Sequence, residues 1–309
     1  MTRRCALVCV LTALLVAGCV SNRQRPAQIV VASADSPEQL VLGKMTVLTL
    51  KAAGHAVTDR TGLGTPWMVR AALEAGNIDI WWEYTGDTWA SHLGHDQPIS
   101  DPGELYERVR REDAQNDITW LPAAPCQRTL VLLMREADAQ ERGIASISDL
   151  LHHMAWVEPR LSLCAPEELY GAVSGIRGLE RFYGLRFDGG QVHLMPMHEG
   201  YQALRQGECD CALGFSTDGE IVSSNLRSLE DDRHFFQASN LSVAVRTPVL
   251  RESPDLAATL GQIAELLTQR AVIELDRQVA IDAQKPEAVA RQFLIRNGVI
   301  VRWPGTKNQ

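Results

Sequence analysis

The sequence predicts an α/β protein of two lobes with a ligand cleft between them. Three observations carry that expectation. The chain has 309 residues, 45% of them hydrophobic and 22% charged, which is long for one core and suits two. Its first hundred residues alternate short apolar runs with capped helical patterns, the rhythm of a parallel sheet. Finally, one stretch is written twice. Ala72-Leu-Glu-Ala-Gly-Asn-Ile-Asp-Ile-Trp-Trp-Glu-Tyr-Thr-Gly-Asp-Thr-Trp89 is echoed by Ala203-Leu-Arg-Gln-Gly-Glu-Cys-Asp-Cys-Ala-Leu-Gly-Phe-Ser-Thr-Asp218. Gly76 matches Gly207, Asp79 matches Asp210, Tyr84 matches Phe215 and Asp87 matches Asp218. Each copy reads as a helix end, a C′ glycine, a short buried strand and a loop. Ligands of open α/β sheets sit past the carboxyl ends of strands. Each lobe is therefore expected to send one aromatic ring to a shared cleft.

The N-terminus reads as a targeting segment. Arg3 and Arg4 precede an apolar run, Ala6 to Val16, that is shorter than a membrane span. Val16-Ala17-Gly18-Cys19 resembles a lipobox, which implies cleavage before Cys19 and a lipid on its thiol. Residues 1–18 are then a signal peptide, 19–28 a polar tether, and the protein is held at the cell envelope facing away from the cytoplasm. The net charge of −8 offers no basic surface for nucleic acid.

After Ile29–Ser33 as a first strand, Ser36-Pro37-Glu38-Gln39 starts a helix with a capping box and Pro at its first position. Gly54 ends it, His55–Asp59 is a strand, and Thr65-Pro66 opens the helix that feeds the first copy of the repeat. Arg128 to Met134 is an apolar strand suited to crossing between lobes. The strand of the second copy is expected to cross back. Lobe I is thus 29–127 with 217–309, and lobe II is 128–216. Three helical patterns close the chain; the first places Leu256, Leu260, Ile263 and Leu267 on one face.

Beyond Cys5, Cys9 and Cys19, the cysteines are Cys126, Cys164, Cys209 and Cys211. An exported protein meets an oxidising compartment, so buried thiols and one disulfide, with Cys126–Cys164 the favoured pair, are both open. Cys209 and Cys211 sit two apart on an expected strand and should face the same way. Neither they nor the histidines, among them His152 and His153, show metal-ligand spacing. Trp81 and Trp82 alternate, so one should enter the core and the other point elsewhere, while Trp89 either reaches the cleft or packs. Glu83 has no second carboxylate, nucleophile motif or phosphate loop beside it. No catalytic residue, metal or cofactor is expected.

Pro37-Glu38-Gln39, Gly76-Asn-Ile-Asp79 with Glu83-Tyr-Thr-Gly86, Ser216-Thr-Asp-Gly219 and Leu229-Glu-Asp-Asp-Arg-His-Phe-Phe236 together resemble the substrate-binding proteins of osmoprotectant ABC importers. The resemblance runs through nearly all of the expected mature chain. It implies the type II periplasmic binding fold, no enzymatic activity, a monomer, and partnership with a permease and its ATPase. It also implies a small quaternary ammonium solute such as choline or glycine betaine, held by cation–π contacts. The alternatives are the same fold holding another solute, or a receptor that feeds a membrane sensor. Carried over by position, the site comprises Tyr84, Asp87, Phe215, Thr217, Gln39, Arg128, Leu130, Ser239 and Asn240.

Several family positions depart from the pattern. Family tyrosines fall on Leu130, Phe215 and Ser239, and positively charged residues fall on Ala34 and near Ala172, while Asp87 replaces a threonine. The lost carboxylate clamp and the added acid predict a preference for a carboxylate-free cation over glycine betaine. That preference fails if Arg128 enters the cleft and restores the clamp.

Overall fold

The computed structural model describes residues 28–301 except 96, 98, 100, 173 and 238. Residues 1–18, the Cys19 lipobox and nearly all of the tether lie outside the described residues.

Eleven strands are described: β1 Ile29–Ala32, β2 Val57–Arg60, β3 Ile80–Tyr84, β4 Ile118–Trp120, β5 Gln127–Arg128, β6 Leu130–Arg135, β7 Leu163–Ala165, β8 Val192–Leu194, β9 Cys211–Phe215, β10 Leu226–Ser228 and β11 Ser239–Arg246. They form two sheets. One has the order β2-β1-β3-β11-β4, with β5 pairing β11; the other has the order β10-β6-β9-β7-β8. Each sheet is buried on both faces by its own apolar clusters. This is the two-lobed α/β architecture the sequence predicts.

The first long helix, Pro37–Ala52, has Pro at its start as expected, although the Ser36 side chain makes no capping bond. Thr65 does cap the next helix, accepting from the Met68 N–H. The repeated segment builds the same unit in both lobes. Gly76 (φ 72°) and Gly207 (φ 81°) end the two preceding helices in the left-handed region. Asp79 then accepts from the Val30 N–H at 2.8 Å, and Asp210 accepts from the Ser162 N–H at 2.9 Å. In each case a carboxylate ties the start of a strand to its parallel neighbour, β3 to β1 and β9 to β7. Arg246 pairs with Asp79 and Arg142 with Asp210. On its other edge each repeat strand meets an antiparallel partner, β11 or β6.

The expected lobe boundary is corrected. β9 does not cross back: it lies at the centre of the second sheet. β10 then pairs antiparallel with β6, and Leu229 and Phe236 belong to that lobe's core. The chain re-enters the first sheet only at Ser239 in β11, so 217–237 belong with lobe II. The reason is that β6 has a second open edge, which β10 covers.

The favoured disulfide is also corrected. The bond joins Cys164 and Cys209, whose Cα atoms are 6.1 Å apart, while Cys126 and Cys211 are buried free thiols. Cys126 precedes β5 on the first sheet, away from Cys164 on β7. Cys209 lies before the regular strand, so strict alternation does not apply to it. It packs on the face with Cys164, whereas Cys211 packs on the opposite face. Burial pushes both free thiols up to about 12. Trp81 and Trp82 are both buried, on opposite faces, because helices cover both sides of this sheet. Among the described residues no helix is long and apolar enough to cross a membrane.

Candidate functional site

The two copies of the repeat end at one place. Tyr84 finishes β3 in lobe I and Phe215 finishes β9 in lobe II. Arg128, on β5 just before the chain passes to the second sheet, puts its guanidinium carbon 4.0 Å from the Tyr84 ring centroid and 4.6 Å from that of Phe215. A cation therefore lies between two rings supplied by two lobes, the geometry of cation–π recognition. Asp87, on the turn after β3, forms an ion pair with the same guanidinium. The Arg128 side chain is 21% exposed and that of Asp87 51%. Burial acts to lower the Arg128 pKa, but Asp87, then Tyr84, Glu38 and Asp218, outweigh it and hold the group firmly protonated.

The elements that hold this slot are local and specific. Leu130 faces Phe215 across the β6–β9 ladder and backs its ring. Ser239 faces Arg128 across β11–β5, and its Oγ accepts from the Gly86 N–H at 2.6 Å. A Cβ on Gly86 would lie 2.9 Å from that oxygen, so glycine lets the Asp87 turn close over β11. Beneath the rings, the Tyr84 hydroxyl donates to Glu38 Oε1 at 2.9 Å. Burial raises the Glu38 pKa, opposed by Arg128 and by the bond from Tyr84. The Thr217 hydroxyl oxygen is buried near Glu38 with no hydrogen-bond partner of good geometry. Asp218 turns inward, accepting from the Phe215 N–H at 3.0 Å and from the Tyr201 hydroxyl. Burial raises its pKa as well. The two echoed acids have thus diverged: Asp87 holds the cation, and Asp218 holds the turn that carries Phe215.

The lobes touch beside the slot. Gln269 bridges them, its Oε1 accepting from the Gln127 N–H at 3.1 Å and its Nε2 donating to Ser216 O at 3.1 Å. The Gly219 N–H donates to Asp276 Oδ2 at 2.9 Å. A Cβ on Gly219 would fall 2.5–2.8 Å from Arg277, including its backbone, so the turn seats on the helix Gln269–Ala280 only because residue 219 is glycine. Burial, reinforced by Glu38, Asp218 and Glu220, raises the Asp276 pKa to about 7 against the Gly219 bond.

The structure brings Tyr84, Asp87, Phe215, Thr217, Arg128, Leu130 and Ser239 together around one slot. It turns Gln39 and Asn240 to other tasks. Gln39 Oε1 accepts from the Trp81 indole N–H. Asn240 donates to Pro102 O and accepts from Gln127, and it lines a groove with Tyr106, Trp120 and Pro122. Trp89 packs, stacked on His95 with its indole bonded to Gln97 O. Glu83 is enclosed with His92 and Arg70 in the lobe I interior. Arg128 places a positive charge in the slot, where Ala34 and Ala172 place none. Sequence reasoning missed Glu38 and Asp276. The signal for Asp276 was an acid on the apolar stripe of Val272, Leu275 and Val279.

Residues 27–296 match the substrate binding domain of ABC-type glycine betaine transport systems. A glycine-betaine-binding protein of Pseudomonas aeruginosa is 32% identical over 262 residues, 83% of this chain and 84% of that protein. A Helicobacter pylori protein named as an ergothioneine transport permease and ergothioneine binding protein is 25% identical over 272 residues. That match covers 88% of this chain and 48% of the other, so this chain spans about half of it. A solved structure described as a glycine betaine/carnitine/choline ABC transporter superposes with a TM-score of 0.80 over 88% of this chain and 99% of that one, at 24% identity. The fold is that of the type II periplasmic binding proteins. By sequence match and fold, the chain belongs to the family of substrate-binding domains of ABC-type glycine betaine transport systems.

Proposed function

We propose that this chain is the lipid-anchored solute receptor of an ABC importer, and that it captures a small quaternary-ammonium solute between Tyr84 and Phe215. The observation that carries this reading is the slot itself: two aromatic faces, one from each lobe, spaced around a cation. A trimethylammonium group offers no N–H donor, so aromatic faces in a partly desolvated slot are an efficient receptor for it. Because the rings come from different lobes, a ligand that fills the slot favours the closed arrangement over an open one. The closed form then presents both lobes to a permease. Turnover plays no part in this reading, and Glu83, enclosed with Arg70 and His92, supports binding over catalysis. The anchor rests on Val16-Ala17-Gly18-Cys19; Cys19→Ala should release the protein from membranes.

A thermal-shift screen tests the reading. Glycine betaine, choline and carnitine are each titrated into the purified protein. A ligand present at 100 times its Kd adds about 2.7 kcal/mol of stability and a clear rise in Tm. A flat response to all three at millimolar concentration contradicts the proposal.

A further inference from the structure

The slot between Tyr84 and Phe215 is already filled by a cation that belongs to the protein. The guanidinium of Arg128 lies over both rings and pairs with Asp87. A quaternary ammonium seeks the same ring faces for the same physical reason. Two cations cannot share one desolvated slot without strong repulsion, so the solute has to displace the arginine. Displacement costs little at Asp87, whose carboxylate is half-exposed and can take water when the guanidinium leaves. Arg128 also sits on the two-residue strand β5, beside the crossing between sheets.

The fate of the displaced guanidinium separates one solute from another. A carboxylate-free cation takes both rings and leaves Arg128 facing a new positive charge, with nothing gained in return. A zwitterion puts its ammonium on the rings and offers its carboxylate to the guanidinium, which can take it through a two-point, charge-assisted pair. Ala34 and Ala172 carry no charge and supply no alternative partner. We propose that Arg128 is the specificity-determining residue of this site: an internal cation that fills the aromatic slot and yields it to small zwitterions bearing both an ammonium and a carboxylate, while excluding cations that lack the carboxylate. This rests on the solute reading given above and reverses the preference expected from the departures at Ala34, Ala172 and Asp87 alone.

The test is calorimetry with glycine betaine and choline on wild type, Arg128→Met and Arg128→Gln, each checked by circular dichroism for folding. Wild type should bind glycine betaine at least tenfold more tightly than choline. Both variants should gain at least tenfold for choline and lose at least tenfold for glycine betaine, reversing the preference. An unchanged ratio of the two affinities in the variants overturns the inference and leaves the solute reading standing. Absence of binding by either ligand to every form overturns both. A readout on wild type guards against variants that do not fold: the Arg128 side-chain NMR signals, displaced by two ring currents, should move toward ring-free positions when glycine betaine binds. Signals that stay in place with glycine betaine bound overturn the inference.

Discussion

Gly219→Ala should weaken ligand binding without disturbing either lobe. Residue 219 has ordinary helical dihedrals, φ −66° and ψ −22°, so alanine brings no backbone strain. The added Cβ would nevertheless sit 2.5 Å from the Arg277 Cα and 2.6 Å from its nitrogen. Backbone cannot swing aside as a side chain can, so the turn and the helix must separate by about 1 Å to reach ordinary contact distance. That stretches the 2.9 Å bond from Gly219 to Asp276 beyond hydrogen-bond range. A bond to a carboxylate contributes about 1.5–3 kcal/mol, and overpacking costs about 1–3 kcal/mol. The two overlap, since separation relieves the second by forfeiting the first, so the closed form should lose about 2–3 kcal/mol. The lobes escape this cost by opening, which shifts the population away from the binding-competent form. Affinity for the solute should fall about 30- to 150-fold. Titration calorimetry reads the affinity, and small-angle scattering should show a larger radius of gyration in the unliganded variant. Wild-type affinity with an unchanged radius would show that the 219–277 contact plays no part in closure.

Three further outcomes follow from the same structure. Replacing Cys164 and Cys209 together by serine removes a cross-link spanning 45 residues of lobe II, worth up to about 4 kcal/mol in the chain-entropy account. Because Trp67, Trp81, Trp82, Trp89 and Trp120 lie in lobe I, and Trp156 in lobe II is already 79% exposed when folded, the far-UV transition in urea should shift to lower denaturant more than tryptophan fluorescence does, and equal shifts would contradict a lobe-specific staple. Asp276 has a folded pKa raised to about 7 from 3.8, so the stability tied to its protonation is fully present below pH 4 and is lost as pH rises through 7, by up to about 4 kcal/mol. Glu38, Asp218 and Glu220 are raised in the same direction; Asp276→Asn should flatten the decline between pH 5 and 8, and parallel pH profiles for wild type and variant would refute this assignment. Mass spectrometry of membrane-extracted protein should find a diacylglyceryl group on Cys19, and an unlipidated N-terminus elsewhere would remove the anchor from the account.

Much of the fold was legible because its signals are local. The helix starts at Pro37 and Thr65 and the glycine stops at Gly76 and Gly207 follow from capping and backbone chemistry. The repeat located both ring-bearing strand ends, and with them Tyr84, Phe215 and Asp87. Tertiary relationships were harder to read. Nothing local marks Leu226–Ser228 as a partner of β6, so the return to the first sheet was placed too early. The register that sets Cys164 beside Cys209 depends on how β7 meets β9, which residue spacing does not encode. Gln39 and Asn240 were assigned to the site by position in a motif, yet Gln39 Oε1 accepts from Trp81 and the Asn240 amide is engaged by Pro102 and Gln127. Arg128 was legible as a candidate, but its place between the rings required the geometry of two lobes at once.

The account stands most directly on calorimetric titration of glycine betaine into wild type, Tyr84→Leu and Phe215→Leu. Leucine keeps an apolar side chain in place and removes the π face. Each substitution should weaken binding by about 1–2 kcal/mol, the scale of a desolvated cation–π contact, or about 5- to 30-fold. Wild-type affinity in both variants would mean that the solute sits elsewhere and that the slot between the two repeated strand ends is not its receptor.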